Sequence, residues 1–330
     1  MRDVAAAAGV SLKTVSRVIN GEGGVAEARA QRVREAAARL GYRHNLGASN
    51  LRRGRRTSSI GVLVQDLSND FCGELLRAVE GRSRDHGVVV MSASLDDEPD
   101  RERGLVAGLV SRRCDGLILM PSSDDHSYLG PDVEAGLAVV LVDRGADKLP
   151  LDSVTVDNRG GAAAACRHLV GHGHRNVACV LDDLRIQTAQ HRLAGYRDVM
   201  IEVAAERPEL VVTGIRTAAE AQAVVTQMLE LANPPTAIFC GRNVITIGAV
   251  RALRRLGRQH DVALVGFDDF QTADLLEPGV TTVRQDAEAE GEHAFDLLMS
   301  RLAGWSAPPR TIVLPTDLIA RGSGEIRAQS

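Results

Sequence analysis

Residues 9 to 20 read "GVSLKTVSRVIN". The segment holds only Val10, Leu12, Val15, Val18 and Ile19 as sizeable apolar groups, so it cannot bury much by itself. Gly9 suits the left-handed turn that ends a helix, Ser11 suits the cap that starts the next, and Asn20 with Gly21 suits that helix's end. Upstream, "RDVAAAAGV" is Ala-rich. Downstream, "EARAQRVREAAARLG" places Ala30, Val33, Ala37 and Leu40 on one helical stripe, which closes a small core with Val4, Ala8, Val15 and Val18. Three short helices are therefore predicted. On the middle one Val15, Val18 and Ile19 pack inward, while Leu12, Lys13, Ser16 and Arg17 point outward together, a layout that suits the major groove of DNA. A solvated, Arg-bearing helix of a small bundle has the same pattern, so the pattern alone leaves both readings open.

The charge distribution favours the first. Residues 1 to 58 carry twelve Lys and Arg against four acids, +8, in a chain whose total is −4, which leaves −12 for the remainder. An acidic body with a small basic module points to a polyanion as partner. The five cysteines (Cys72, Cys114, Cys166, Cys179, Cys240) are odd in number and widely spread without C-x-x-C, which suggests buried thiols rather than disulfides or zinc. No apolar run reaches 18 residues and the N-terminus has no signal-like apolar stretch, so a cytoplasmic location, at the nucleoid, is expected.

From residue 59 onward, short β-branched runs alternate with amphipathic stretches, as in parallel sheets with crossover helices. Ten strands are predicted: "SIGVLV" (59 to 64), "GVVVMSAS" (87 to 94), "CDGLILM" (114 to 120), "LAVVLVD" (137 to 143), "SVTVD" (153 to 157), "NVACVL" (176 to 181), "ELVVTG" (209 to 214), "TAIFCG" (236 to 241), "VALVGFD" (262 to 268) and "TTVRQ" (281 to 285). Aromatics make up only 3% of the chain, so the core is aliphatic. Ten strands suit two similar α/β lobes better than one sheet, with a ligand cleft between the carboxyl ends of their strands. Polar groups gather at those ends: "QDLSNDF", "PSSDD", Asp143 with Arg144, Asp157 with Asn158, Arg242 with Asn243, and Asp268 with Asp269. Each alone reads as a helix cap in a βα turn, whereas the set suits recognition of a polyhydroxylated molecule.

"DVAAAAGVSLKTVSRVINGEGGVAEARAQRVREAAARLGYRHNLGASNLRRG", then "IGVLVQDLSNDF", resembles the lactose-repressor (LacI/GalR) family of bacterial transcription regulators. That family's pattern runs D-V-A-x-x-A-G-V-S-x-x-T-V-S-R-V-L-N and then L-G-Y-x-P-N-x-x-A-R-x-L. The likeness continues in order through "SRRCDGLIL", "VDNRGGA", "GHRNVACV", "RLAGYRD", "ALVGFDD", "TTVRQD" and "LPTDLIARGS".

The resemblance implies a helix-turn-helix headpiece at 1 to 43, a hinge helix and linker at 44 to 58, and a two-lobed, periplasmic-binding-protein-like core at 59 to 330. The N-lobe would take about 59 to 157 plus 286 to 315, and the C-lobe about 158 to 285 plus the C-terminal segment. It further implies that Leu12, Lys13 and Arg17 face base edges, with Arg17 a bidentate partner for guanine, and that Ser11, Thr14, Ser16, Asn20 and Asn45 hold phosphates. Leu51 would be the wedge that opens a minor-groove step at the centre of a pseudo-palindromic operator, where two copies of a homodimer meet. Asn69, Phe71, Asp124, Arg192, Asn243 and Asp268 would contact a small effector, of sugar class on family grounds, whose binding controls operator affinity, most simply as a repressor. Whether effector releases or recruits DNA stays open. The C-terminal segment shows no apolar heptads, which favours a dimer over a coiled-coil tetramer.

The chain departs from the pattern in several places. Met1 stands where the family has an apolar residue after a Thr cap, so the natural start is expected either here or a few codons upstream. Ala26 replaces a Ser cap, His44 a Pro, and Gly47 and Ser49 fall in the hinge. In the cleft, "SNDFC" puts Asp70 and Cys72 where a Pro and an aromatic are common, and Arg242 precedes Asn243 where "ND" is common. Arg242 is accordingly read either as a receptor for an acidic or phosphorylated ligand or as a solvated loop residue.

Two other classes of function make different demands on the sequence. A sugar-binding protein without DNA activity would lack the +8 headpiece. An α/β enzyme would use the cleft carboxylates with "GHGH" (171 to 174) and Cys240, but G-x-S-x-G, P-loop and H-E-x-x-H motifs are missing and His174 reads as structural. No catalytic residue, metal or cofactor is called for.

Overall fold

The computed structural model describes residues 1–20, 22–42, 58–123, 125–145 and 148–329. The chain forms two compact units, Met1–Thr57 and Ser58–Ser330.

The first unit contains helices α1 (Arg2–Ala8), α2 (Leu12–Ile19) and α3 (Glu27–Arg39). Gly9 ends α1 in the left-handed region, φ 61°, where a side chain would be strained. The Ser11 hydroxyl accepts from the Thr14 amide at 3.2 Å and caps α2, a contact worth about 1 kcal/mol. Met1 and Ala26, which precede α1 and α3, supply no side-chain cap. The core is Val4, Ala5, Ala8, Val15, Val33, Ala36 and Ala37, with Val18, Ile19 and Tyr42 packed against it. Leu40 differs from its predicted place on the stripe and is 48% exposed. The reason is local: α3 stops at Arg39, Gly41 turns the chain at φ 59°, and the Tyr42 amide reaches back to the Ala37 carbonyl. Tyr42 thereby covers the core in place of Leu40.

The second unit runs β1 (Ser59–Val64), α4 (Asp70–Asp85), β2 (Val89–Ser94), α5 (Pro99–Ser111), β3 (Gly116–Leu119), α6 (Gly130–Glu134), β4 (Ala138–Val142) and β5 (Asp152–Val156). It continues with α7 (Asn158–Gly171), β6 (Val177–Val180), α8 (Gln187–Glu202), β7 (Val211–Val212), α9 (Ala218–Leu229), β8 (Ala237–Cys240), α10 (Asn243–Leu256), β9 (Ala263–Phe267) and β10 (Thr281–Arg284). The last elements are α11 (Ala287–Leu302), β11 (Thr311–Leu314) and β12 (Asp317–Ile319).

The strands form two sheets of six, ordered β11-β5-β4-β3-β1-β2 and β12-β10-β9-β8-β6-β7. All pairings are parallel except β10 with β12. The two sheets thus have the same strand order, each with its edge completed by a strand from the C-terminal segment. The ten-strand expectation missed β11 and β12, and only Val211–Val212 of "ELVVTG" is strand, since residues 208 to 210 form a 3₁₀ turn. The chain passes between sheets after β5, after β10 and after β11.

Alternate residues feed opposite faces, as the two-residue period of a strand requires. In the first sheet Ile60, Val62 and Val64 face Leu75 and Phe295, whereas Leu63, Leu117 and Leu119 face Val106 and Leu129. In the second, Val180, Ile238 and Leu264 meet Val225 and Leu253, while Cys179, Phe239 and Phe267 meet Leu169 and Tyr196. Gly195 of "RLAGYRD" lets α8 lie against α7, since a Cβ there would fall 2.2 Å from the Arg159 carbonyl oxygen. All five cysteines are buried and unbridged.

Candidate functional site

In the first unit the outward face of α2 forms as its pattern predicts. Leu12 is 47% exposed, Lys13 is exposed beside it, and Ser16 and Arg17 are half-buried. Ser11 and Thr14 share a hydroxyl contact of 2.9 Å, and the Asn20 amide donates to the Ser16 carbonyl at 2.6 Å and its hydroxyl at 3.1 Å. Arg17 donates to the Gly23 carbonyl in the loop before α3. Its guanidinium is therefore held at the end of α2 in this structure. Asn45 and Leu51, assigned to DNA, lie outside the described residues, as does Asp124 of the effector set.

In the second unit, the carboxyl ends of both sheets supply one polar cluster. Asn69 caps α4, its Oδ1 accepting from the Phe71 amide at 3.1 Å, and its side chain pairs with that of Asn243 at the start of α10. Beside this pair Arg242 donates to the Gln65 side chain at 2.6 Å. Arg242 is 12% exposed and stands 3.9 Å from Asp97 and 3.7 Å from Asp182. It is thus a largely buried interlobe contact and not a solvated loop residue.

Arg192 is buried on α8. Its Nε donates to Asn158 Oδ1 at 2.7 Å, its Nη1 donates to the Gly241 carbonyl at 2.7 Å, and it stacks 3.8 Å from the Phe267 ring centre. It also reaches Asp268 at 3.4 Å, and Gln285 donates to the other oxygen of that carboxylate. Asp143 and Asp268 follow the corresponding strands β4 and β9, both with positive φ (63° and 67°). Arg144 pairs with Asp97 at 2.7 Å and with Asp143 at 3.2 Å. Burial holds the Asp143 and Asp182 carboxyls above the usual range, and the neighbouring arginines offset only part of that rise.

Most of these groups, Asn69, Arg144, Asp182, Arg192, Arg242 and Asp268 among them, line a cavity of about 30 Å³, room for a water or two, together with Phe71, Cys72, Met120 and Thr188. Burial pushes the Cys72 thiol up to about 12, so it is no nucleophile at neutral pH. A larger cavity of about 330 Å³ opens on the flank and shares Phe71, Asp268 and Gln285 with the first. Asp269 lies apart from the central cluster, locked to Arg321 at 2.6 Å and Thr282 at 2.9 Å. Asp70 reaches the Gln271 amide at 3.2 Å.

Sequence reasoning passed over Asp97 and Asp182, which follow the second and sixth strands in "SLDDE" and "VLDDL". The rule that selected the other strand ends would have selected these. His174 is fully buried between the Thr236 hydroxyl (2.9 Å) and the Ile326 carbonyl (2.7 Å), a tie to the C-terminal segment.

A helix-turn-helix with a polar, cationic outer face, followed by a two-lobed α/β unit whose lobes meet over a polar cleft, defines a class: DNA-binding regulators that sense a small ligand. Residues 1–45 match the bacterial regulatory proteins of the lacI family, and residues 166–324 match the periplasmic binding protein-like domain. The HTH-type transcriptional regulator DegA of Bacillus subtilis (strain 168) is 31% identical over 97% of this chain and 96% of its own length. The HTH-type transcriptional repressor PurR of Proteus mirabilis (strain HI4320) is 31% identical over 98% and 96%. Among solved structures, the lac repressor dimer bound to operator and the anti-inducer ONPF superposes with a TM-score of 0.85 at 26% identity, covering 98% of both chains. The complex of the transcriptional regulator CelR with cellobiose gives 0.73 at 31% identity, covering 97% of this chain and 98% of that one. The chain belongs to the lacI family of bacterial regulatory proteins, and it is a regulator of transcription, not an enzyme.

Proposed function

We propose that the protein is a homodimeric, cytoplasmic repressor that binds a pseudo-palindromic operator and senses a sugar or sugar derivative in the interlobe cleft. The observation that carries this reading is the pair of bridges Asn69 to Asn243 and Gln65 to Arg242, which join the lobes beside a cavity lined by both. A ligand inserted there must exchange its own polar groups for those bridges, so its affinity differs between lobe arrangements. That difference is the free energy available to act on DNA, about 1–3 kcal/mol for a typical coupling. The solved relatives bound to operator and to cellobiose support both halves of the reading.

Within it, residues 1 to 43 form the headpiece, 44 to 58 the hinge and linker, and 59 to 330 the sensing and dimerising core. Leu12, Lys13 and Arg17 read bases, Ser11, Thr14, Ser16, Asn20 and Asn45 hold phosphates, and Leu51 wedges the operator centre. Asn69, Phe71, Asp124, Arg192, Arg242, Asn243 and Asp268 contact the effector. The test is selection of binding sites from random DNA with the full chain, followed by titration of the selected site with and without carbohydrates that raise the protein's Tm. A half-site repeat in the selected DNA, and a carbohydrate that changes operator affinity, are expected. A monomer with no sequence preference at low salt would refute it.

A further inference from the structure

Resting on the cleft being the effector site, we infer that the ligand carries a cationic amino group beside its hydroxyls, as an amino sugar does, and that Asp182 receives it. Three observations carry this. First, among the described residues of the central cluster, four carboxylates (Asp97, Asp143, Asp182, Asp268) face three guanidiniums (Arg144, Arg192, Arg242). Each arginine already has a carboxylate within 4 Å, so an anionic ligand would have to displace an acid.

Second, the groups left without a partner are acceptors. Asp182 Oδ1 and Gln285 Oε1 are buried and make no hydrogen bond, and both residues line the cavity. The Asp182 side chain is only 5% exposed, and its other oxygen sits 3.7 Å from Arg242, beyond hydrogen-bond reach. A buried carboxylate oxygen without a donor is costly, and an ammonium group on the ligand relieves it with a charge-assisted bond.

Third, Asp182 also lines a second small cavity, of about 20 Å³, with Asp97, Asp183, Arg185, Arg216 and Arg242. The carboxylate therefore borders two cavities lined by residues of both lobes. Among the side chains that line the cavity the atoms left without a partner are acceptors, and its guanidiniums are already engaged, so hydroxyls and an ammonium complement it and a phosphate does not.

The experiment is calorimetry on the full chain with three matched sets, gluco, galacto and manno, each a neutral hexose, the 2-amino-2-deoxyhexose and the hexose 6-phosphate. In at least one set the amino member is expected to bind about tenfold or more tighter than its neutral parent, the size of a charge-assisted bond. In Asp182→Asn, an isosteric change, that margin should fall to about twofold or less, while binding of the neutral parent persists. Tightest binding by a neutral or phosphorylated member, or a margin that survives Asp182→Asn, would overturn the inference; so would no binding by any of the nine. An amino sugar that binds with the expected margin but leaves affinity for the selected operator unchanged would instead remove the regulatory reading of the cleft.

Discussion

The side-chain amides of Asn69 and Asn243 exchange hydrogen bonds across the cleft, at 3.0 Å in one direction and 3.2 Å in the other. The two residues are 174 positions apart, and each begins a helix of its own lobe. Such a pair closes the lobes without metal or charge, and a ligand hydroxyl can replace either half.

Asn243→Ala removes this bridge and leaves the Asn69 cap of α4 in place. The Asn69 amide then has no interlobe partner, a penalty of about 1–3 kcal/mol against the closed arrangement. Small-angle scattering of the variant should show a larger radius of gyration, and sugar affinity should weaken by an order of magnitude. An unchanged radius and affinity would mean that the amide pair does not hold the lobes.

In the proposed reading Arg17, which donates to the Gly23 carbonyl in this structure, turns toward a base on binding DNA. Arg17→Ala should cost roughly 1–3 kcal/mol on the selected operator and relax preference at one base pair, whereas Asn20→Ala should weaken all sequences alike. Fluorescence anisotropy on the operator and its single-base variants distinguishes the two patterns. Equal loss on every sequence for Arg17→Ala would reassign it to the backbone.

Glu290 on α11 is fully buried. Burial, and then the nearby Asp143 carboxylate, raise its carboxyl well above the ordinary glutamate value of 4.5. The folded chain therefore keeps a proton that the unfolded chain has lost, so this contribution to stability is complete below pH 4.5 and declines as pH rises toward the folded value. Glu290→Gln lacks the effect. Urea titrations between pH 5 and 8 should show the parent losing stability relative to the variant by up to about 1.4 kcal/mol per pH unit. Parallel curves would show that Glu290 ionises normally in the fold.

Arg192→Met removes the guanidinium that holds Asn158, the Gly241 carbonyl and Asp268 together. An unpaired Asp268 in a buried setting should cost about 3–5 kcal/mol by urea denaturation. A loss under 1 kcal/mol would mean that water reaches the carboxylate and that Arg192 serves the ligand more than the fold.

The legible parts of this protein are those whose cause is local. Gly9, Ser11 and the i, i+3, i+4 spacing of Val15, Val18 and Ile19 place the first two helices within a residue of the observed ends. The apolar runs of β1, β3, β4, β8 and β9 are buried on both faces and read as unbroken hydrophobic stretches. β11 and β12 escaped because they are edge strands of four and three residues in which no residue is fully buried, and their apolar runs, "IVL" and "LIA", are shorter than the four residues that mark a buried strand. Leu40 was misplaced because a helix stripe says nothing about where the helix stops.

By itself the sequence determined the cationic three-helix unit, the alternation of strands and helices, and the gathering of Asp, Asn and Arg at strand ends, since each follows from contacts within a few residues. Only the tertiary structure decided which of those polar ends meet. Asn69 with Asn243, Gln65 with Arg242, and Arg192 with Asp268 are separated by 174, 177 and 76 positions. The first two pairings depend on how two sheets, linked by three chain crossings, bring their carboxyl edges together, and the third on how a helix packs over its own sheet; no short stretch of sequence encodes those distances.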